Sequence, residues 1–303
     1  MKKIPVIIDA DPGIDDAVAL MMAVKNKLLD IKLITCTAGN TSLENVATNT
    51  LNVLELFDAP QIPVALGRAT PIARPSFSKE VYHGANGLGG FEFEKNNRKP
   101  SNLSALESFH KILSESQEKI TVVALGPLSN IADLISTYPQ DLQNIEKLIF
   151  MAGSIEEDGI KTPYAEFNIS SDPEAAEIVF NSNLSMVMVP MEMGHTAYLD
   201  WKEVFLTKQE NTTGEVLEYI FRSYNDGHVK NGIATHDGTT IAYLLAPHIF
   251  ETLPAFVSVK YFKEIESGVA ICNFQQKPNM RVCTRINIKS FKKLYFKALS
   301  KCN

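Results

Sequence analysis

The residues best suited to chemistry form an acidic loop after the first apolar run, Asp9-Ala-Asp11-Pro-Gly-Ile-Asp15-Asp16. A single Asp at the start of a helix is usually an N-terminal cap, and this reading stays open for any one of these residues. Four carboxylates in eight residues exceed what a cap needs, and they repel one another. Hard divalent cations prefer oxygen ligands of this kind. The loop therefore predicts a metal site in which a bound cation offsets the carboxylate charge.

Two other kinds of site contain similar acidic loops. An EF-hand loop follows a helix and ends in a bidentate Glu, whereas this loop follows a predicted strand and has Leu20 at that position. A metal-dependent phosphatase with an Asp-x-Asp pair after its first strand fits better. Such enzymes hold the phosphoryl group with cationic and hydroxyl side chains, and the loop contains neither. A nucleoside without a phosphate suits this site better than a nucleotide.

The loop is positioned by an alternation of β-branched runs with segments of helical periodicity. The runs predicted as buried strands are Ile4–Ile8, Ile31–Thr37, Ile62–Leu66, Ile120–Leu125, Lys147–Met151 and Ser185–Val189. The helices predicted between them are Ala17–Val24, Val46–Phe57, Leu103–Leu113 and Ile131–Ile135. This order predicts right-handed β-α-β units and an α/β fold, an open, mostly parallel, Rossmann-like sheet flanked by helices. Ligands of such sheets bind at the carboxyl ends of the strands.

After about residue 190 the alternation stops. The elements predicted there are helices at Gly214–His228 and Gly238–Ala246 and strands at Ala255–Phe262 and Met280–Ile288. The two strands are expected to form an edge or a late antiparallel addition. Residues 71–100 are rich in Gly, Pro and Asn and are a candidate lid or binding loop. Because no linker, charge block or internal repeat divides the chain, residues 1–303 are predicted to form a single domain.

Composition restricts the partners of the protein. A formal net charge of −6 with scattered Lys and Arg argues against nucleic-acid binding, which needs a clustered basic face. No apolar run approaches the ~20 residues that span a bilayer, and the run at the N-terminus ends in acids, unlike a secretory signal. The four cysteines are far apart, which argues against zinc and is typical of buried thiols in a reducing compartment. We therefore expect a soluble, cytoplasmic protein that acts on a small molecule without a membrane or nucleic-acid partner.

Several motifs, in the same order and over nearly the whole chain, resemble those of the inosine-uridine-preferring nucleoside hydrolases. The acidic loop resembles the N-terminal signature of this family. The further motifs are Thr37-Ala-Gly-Asn40, His83-Gly-Ala-Asn-Gly-Leu-Gly89, Leu125-Gly-Pro-Leu-Ser-Asn130, Met151-Ala-Gly, Ala165-Glu-Phe-Asn168 with Asp172-Pro-Glu-Ala-Ala176, and His236-Asp237. The resemblance implies the nucleoside hydrolase fold and hydrolysis of the N-glycosidic bond of ribonucleosides to ribose and a free nucleobase.

The resemblance also implies a cofactor, Ca²⁺, and its ligands. Asp11, Asp16 and Asp237 would bind the ion through their carboxylates. Leu125 would bind it through its backbone carbonyl, so its apolar side chain is no objection. Relatives are usually dimers or tetramers, and a homodimer or homotetramer is therefore expected by analogy.

The same resemblance assigns residues to the sugar. Asp15, Asn40, Glu166 and Asn168 would hold the ribose hydroxyls, with Met151 packed nearby. Each has an ordinary alternative: the two Asn residues could be turn residues, Glu166 a solvated loop residue and Met151 a core residue. Together in these motifs, however, they favour a substrate site.

Cleavage of an N-glycosidic bond passes through an oxocarbenium-like transition state, which clustered carboxylates stabilise more than the neutral substrate. The resemblance implies that Asp11 removes a proton from a Ca²⁺-activated water. His236 is the candidate acid for the departing base, and His83 is also expected to face the base. The chain departs from the family after His236-Asp237, where Gly238-Thr239 replaces the common Pro-Leu. His195 is assigned no role beyond structure.

The nucleobase is expected to contact the helical stretch that precedes His236. Tyr224 and His228 are four residues apart and would share one face of a helix, although each could equally be an ordinary amphipathic-helix residue. The only tryptophan, Trp201, lies outside the matched motifs, so the indole stack of purine-specific relatives is not expected. Pyrimidine ribonucleosides are therefore predicted to be cleaved at least as well as purine ones. The alternatives that stay open are a metal-dependent phosphatase and a non-catalytic nucleoside-binding protein.

Overall fold

A computed structural model describes residues 2–59, 61–75, 82–94, 97–155, 165–224, 230–262 and 267–303 of the chain. The strands are β1 (Ile4–Ala10), β2 (Leu29–Cys36), β3 (Val64–Leu66), β4 (Ile120–Ala124), β5 (Ile145–Met151), β6 (Met186–Val189), β7 (Leu199–Asp200), β8 (Gly232–Ile233), β9 (Phe250–Phe262), β10 (Ser267–Asn273) and β11 (Met280–Ile286). The α-helices are α1 (Ile14–Val24), α2 (Leu43–Leu56), α3 (Ala105–Glu115), α4 (Ser129–Thr137), α5 (Phe167–Ser171), α6 (Pro173–Phe180), α7 (Met191–Thr196), α8 (Trp201–Glu210), α9 (Thr212–Arg222), α10 (His236–Leu245) and α11 (Ile288–Leu299). Short 3₁₀ helices lie at Pro139–Asn144 and Pro247–Ile249.

The described strands form a nine-stranded sheet in the order β10-β9-β11-β6-β5-β4-β1-β2-β3. Strands β1 to β6 pair in parallel, and β11 extends them in parallel beside β6. The antiparallel part consists of β9, which pairs with β11, and β10, which pairs with β9. The predicted fold class and the late antiparallel addition are thus confirmed. Strand β10 is an addition that the sequence interpretation missed.

The sheet is covered by helices on both faces because its central strands are apolar on both sides. In β1, Val6 and Ile8 face one core cluster while Ile7 faces the other, and all three are fully buried. The first cluster includes residues of α1, α2, α10 and α11, and the second includes residues of α3, α4 and α6. Two layers of helices therefore fix the strand ends from which the acidic loop emerges.

The predicted helix Gly214–His228 is wrong in its extent. Helix α9 ends at Arg222, with Ser223 as its C-terminal cap, so Tyr224 lies beyond the helix. The sequence that follows, Asn225-Asp226-Gly227, consists of residues that favour turns over helix. The expectation that Tyr224 and His228 share one helical face is not met for Tyr224, and His228 lies outside the described residues.

Among the residues that the structure describes, no helix combines the length and apolar character needed to span a bilayer. The four cysteines, Cys36, Cys272, Cys283 and Cys302, are all free thiols. Of the candidate lid at 71–100, residues 76–81 and 95–96 lie outside the described part of the chain.

Asp172 is a buried cap that ties the active-site end of β4 to α6. Its carboxylate accepts hydrogen bonds from the Ser129 hydroxyl (2.6 Å) and from the backbone N–H groups of Ile72 (3.0 Å) and Ala175 (3.1 Å). Replacement Asp172→Ala leaves these donors unpaired in the core, and we expect the free energy of unfolding in urea to fall by about 2–4 kcal/mol. The matched control is Asp200→Ala, which removes the partly exposed cap of α8 and should cost only about 1 kcal/mol. Equal losses for the two variants would contradict this.

Candidate active site

A cavity of about 270 Å³ opens at the carboxyl ends of the parallel strands. Its lining residues are Asp15, Asn40, Tyr82, His83, Leu125, Met151, Ala165, Glu166, Phe167, Asn168, Met191, His195, Tyr224, His236 and Asp237. Of the site residues predicted from the sequence, Asp11 and Asp16 are not in this wall but are fully buried beside it, and His228 is outside the described residues. Motifs that are far apart in the sequence therefore meet at one place, as expected for the carboxyl edge of such a sheet.

The carboxylate of Asp11 is enclosed by two turns that carry glycine. A Cβ added to Gly39 would lie 2.1 Å from Asp11 Oδ2, and one added to Gly126 would lie 2.5 Å from Oδ1. The backbone N–H of Asn40 donates to Oδ2 (2.8 Å), and the Asn40 side-chain amide donates to the Asp11 carbonyl (3.2 Å). Only glycine permits so close an approach, so the turns after β2 and β4 fix this carboxylate.

Three carboxylates converge at the start of two helices. Oxygens of Asp15, Asp16 and Asp237 lie within 4.8 Å of one another, and all three residues are buried. Asp15 and Asp16 are in the first turn of α1, and Asp237 is in the first turn of α10, where the helix dipoles favour negative charge. The group contains Asp15, which the resemblance assigned to ribose, and it does not contain Asp11.

The buried acids are shifted towards their neutral forms. Burial, followed by the charge of Asp15, raises the pKa of Asp16 to about 7. Burial also raises the pKa of Asp11 and of Asp237 well above its ordinary range, and neighbouring carboxylates add to this. Asp16 Oδ2 accepts from the Gly13 N–H (2.9 Å) and the Asn40 amide (3.2 Å), while Oδ1 is buried without a hydrogen-bond partner among the described residues. Buried carboxylates with an unsatisfied oxygen fit a hard cation, which would offset their charge.

Asp9 braces this cluster from behind, a role that the sequence interpretation did not assign. Its Oδ1 accepts from the Thr35 hydroxyl (2.5 Å) and the Asn130 amide (2.8 Å). Burial raises the pKa of Asp9 to about 7, although these two hydrogen bonds oppose the shift. The position within the acidic loop was visible in the sequence, but the partners on β2 and α4 were not.

Glu166 and Asn168 line the cavity but also satisfy backbone groups. The Glu166 carboxylate accepts from the N–H groups of Gly153 (2.8 Å), Asn168 (2.8 Å) and Ile169 (3.1 Å), which makes it the N-terminal cap of α5. The Asn168 amide donates to the carbonyl of Leu125 (2.7 Å) and that of Met151 (3.1 Å). The Leu125 carbonyl therefore faces the cavity beside Asn168, and the two readings of these residues, structural and substrate-binding, are compatible.

Backbone contacts determine the tautomers of two histidines. The Ile14 N–H donates to Nδ1 of His83 (3.0 Å), so this nitrogen carries no proton and the neutral ring presents Nε2–H. Nδ1 of His236 lies 3.1 Å from the Met191 carbonyl, which can only accept, so this nitrogen carries the proton. Burial lowers the pKa of both rings, with the charge of Asp15 opposing the shift. In its neutral form His236 offers a lone pair rather than a proton.

Aromatic and imidazole rings form the wall beside these histidines. Tyr224 stacks on Tyr82, with ring centroids 6.2 Å apart, and meets His83 edge-on at 5.2 Å. His195 meets His236 edge-on at 5.0 Å. Tyr82 and His195 were missed as lining residues, although Tyr82 adjoins His83 and His195 follows β6 at the carboxyl edge of the sheet.

Trp201 is not among the lining residues of the cavity. Its indole N–H donates to the Lys230 carbonyl (3.2 Å), and the Arg222 guanidinium lies 5.5 Å from the centre of its ring.

Known proteins resemble the chain over nearly its full length. The sequence profile of the inosine-uridine preferring nucleoside hydrolases matches residues 6–293. The chain is 38% identical over 293 residues to the non-specific ribonucleoside hydrolase RihC of Escherichia coli, an alignment that covers 95% of this chain and 96% of the relative. It is 36% identical over 305 residues to the protein of the same description from Escherichia fergusonii, covering 99% and 100% of the two chains.

Solved structures show the same similarity. A plant nucleoside hydrolase superimposes with a TM-score of 0.88 at 27% identity, and 98% of each chain is covered. A purine-preferring ribonucleoside hydrolase from Gardnerella vaginalis superimposes with a TM-score of 0.89 at 25% identity, again with 98% of each chain covered.

The raised pKa of Asp16 predicts how the metal-free protein responds to pH. Because the folded value of about 7 lies above the unfolded value of 3.8, the folded state binds more protons between these limits, and the Asp16 contribution to stability falls as the pH rises. In a chelator, Asp16→Asn should therefore gain about 2 kcal/mol of unfolding free energy relative to wild type between pH 5 and pH 8. Urea unfolding at both pH values measures this difference. Asp30→Asn, on the opposite edge of the sheet, is the control, and the same pH response in both variants would contradict the prediction.

Proposed function

Since the chain belongs to the inosine-uridine preferring nucleoside hydrolase family and is a ribonucleoside hydrolase, we propose that the described cavity is where ribonucleosides are cleaved. The observation that carries this proposal is the division of the cavity between two chemistries. Buried carboxylates and amides occupy one end, and imidazole and phenol rings occupy the other. A ribosyl cation is stabilised by the first kind of wall, and a departing heterocycle is held by the second.

The family is metal-dependent, and we propose that the ion is Ca²⁺. The donor set is all oxygen, which suits calcium and disfavours zinc or copper. Asp11, Asp16, Asp237 and the Leu125 carbonyl would hold it, and the convergence of Asp16 with Asp237 and the unpaired Asp16 Oδ1 support this assignment. When bound, the ion supplies Lewis-acid polarisation of the oxygens that it touches.

The residues of the chain would then perform positioning and proton transfer. Asp15, Asn40, Glu166 and Asn168 would bind the ribose hydroxyls, with Met151 packed against the ring, as their common place in the cavity wall supports. Asp11 would accept a proton from the attacking water at a carboxylate oxygen, since its raised pKa suits a base near neutral pH. Positive charge that develops on the ribose would be stabilised by the surrounding carboxylates.

The base end would assist the leaving group through His83 and His236. His83 presents Nε2–H in its neutral form and can donate to the base without a change of charge. His236 can donate through Nε2 only as the imidazolium, because its Nδ1 proton is directed to the Met191 carbonyl. We therefore keep His236 as the acid in a reaction that needs its protonated form, with His83 as a hydrogen-bond donor.

We further propose broad acceptance of the base, with pyrimidine ribonucleosides cleaved at least as well as purine ones. Tyr224 lies in the cavity wall, while Trp201 is directed to Lys230. The relatives named non-specific ribonucleoside hydrolases accord with a tolerant site. Assembly into a homodimer or homotetramer stays a prediction, as does the single domain. A cytoplasmic location fits the four unpaired thiols.

The phosphatase alternative is not favoured by the cavity. Among its described lining residues there is no Lys or Arg that could hold a phosphoryl group.

The test of the proposed function is the release of free ribose from a nucleoside panel. We expect the wild type to hydrolyse ribonucleosides, a calcium chelator to abolish the reaction and added Ca²⁺ to restore it, because the carboxylates repel one another without a cation. Full activity in the chelator, or restoration only by a different divalent ion, would refute the calcium assignment.

Asp11→Asn tests the general base. We expect kcat to fall by about three orders of magnitude or more, with a far smaller change in KM, because the amide cannot accept the proton but can still receive the Asn40 N–H. Asp30→Asn is the control and should retain wild-type kinetics. Near-normal kcat in Asp11→Asn would require another base.

Base and sugar selectivity can be measured as kcat/KM for uridine, cytidine, inosine, deoxyuridine and uridine 5′-monophosphate. We expect uridine to match or exceed inosine, and Tyr224→Phe to change their ratio. Deoxyuridine should be poor because it lacks the 2′-hydroxyl ligand, and the monophosphate should be poor because the described lining offers no cation to its phosphate. A strong inosine preference that Tyr224→Phe leaves unchanged, or equal cleavage of uridine and its monophosphate, would contradict these expectations.

A further inference from the structure

A third histidine, His195, lies in the wall of the cavity and has no part in the reaction as described so far. It is in the last turn of α7, is exposed, and lines the cavity together with His83 and His236. Its ring meets that of His236 edge-on, with centroids 5.0 Å apart and an interplanar angle of 76°. The imidazole is therefore next to the residue proposed to serve the departing base.

The three imidazoles differ in how their nitrogens are used. Nδ1 of His83 accepts from the Ile14 N–H, and Nδ1 of His236 donates to the Met191 carbonyl, so each neutral ring has a single fixed tautomer. His195 makes no hydrogen bond within the described residues. Both of its nitrogens are thus available to a ligand, and either one can carry the proton.

Backbone packing holds His195 in this place. Gly194 lies against the start of α10 so closely that an added Cβ would be 2.3 Å from Nδ1 of His236 and 2.8 Å from its Cα. Because no side chain separates α7 from α10 here, the position of the His195 backbone is fixed relative to His236. The His195 ring is consequently presented to the cavity by rigid neighbours.

We propose that His195 is a specificity-determining residue that hydrogen-bonds the nucleobase, as donor or acceptor, and so lets one cavity accept bases with different polar edges. The inference rests on the proposed function, because it requires the base to lie against the imidazole wall. His83 offers the base only a donor, and neutral His236 offers it only an acceptor. A ring that can exchange tautomers complements either arrangement, which a fixed amide or hydroxyl pattern could not do without loss.

The experiment compares leaving groups on the same sugar. The substrates are inosine, uridine and 4-nitrophenyl β-D-ribofuranoside, whose nitrophenolate departs without a proton and lacks the polar edge of a nucleobase. The variants are His195→Ala, His195→Gln and, as a matched control, His248→Ala, an exposed histidine that does not line the cavity. The quantity of interest is kcat/KM for each nucleoside divided by kcat/KM for the nitrophenyl riboside.

We expect His195→Ala to lower this ratio about tenfold for both nucleosides, which corresponds to the loss of one hydrogen bond. His195→Gln, which retains a donor and an acceptor, should recover part of the ratio, and His248→Ala should leave it within about twofold of wild type. An unchanged ratio in His195→Ala overturns the proposal, whether the three kcat/KM values fall together or do not fall at all.

The outcome is separable from a failure of the proposed function. All three substrates share the ribose, the water and the metal, so an error in the calcium assignment or in the role of Asp11 would alter every kcat/KM value and cancel in the ratio. The chelator series and Asp11→Asn test those assignments independently.

Discussion

Repulsion among buried carboxylates is the constraint around which the rest of the structure is arranged. Asp11, Asp16 and Asp237 are nearly inaccessible to solvent, and burial raises the pKa of each. Without compensation such a cluster would destabilise the fold at neutral pH. The protein compensates in part with helix starts, since Asp16 and Asp237 lie in the first turns of α1 and α10. The remaining charge is what a divalent cation would offset, so the site gives up stability in the metal-free state for the ability to bind one.

The precision of the cluster depends on close backbone approach more than on side-chain packing. Gly39 and Gly126 leave the space that the Asp11 carboxylate occupies, and Gly194 lets α7 pack directly against the start of α10. Each glycine follows the end of a parallel strand or begins the segment after it, where loops converge over the carboxyl edge of the sheet. The sheet therefore provides the rigid edge, and the glycines determine how near the functional groups come to one another.

The base end is governed by a different interaction, the commitment of imidazole nitrogens to the backbone. His83 and His236 look equivalent as residue types, yet one presents a proton and the other a lone pair because their Nδ1 atoms meet a donor and an acceptor, respectively. Their neighbour His195 has no such commitment among the described residues. Different chemical capacity in similar side chains thus arises from the surrounding main chain.

The sequence by itself determined the parallel α/β sheet, the acidic loop and the family, because apolar periodicity and short motifs are local properties of the chain. Local patterns also misled: helical spacing continued past Arg222, where the helix ends, and the short strand β10 was not recognised. Only the tertiary structure decided which polar atoms are free. The hydrogen bond from Ile14 to His83 joins residues 69 positions apart, and the contact of His195 with His236 joins two helices. Such pairings depend on how separate strand ends are brought together, and no local pattern in the sequence encodes them.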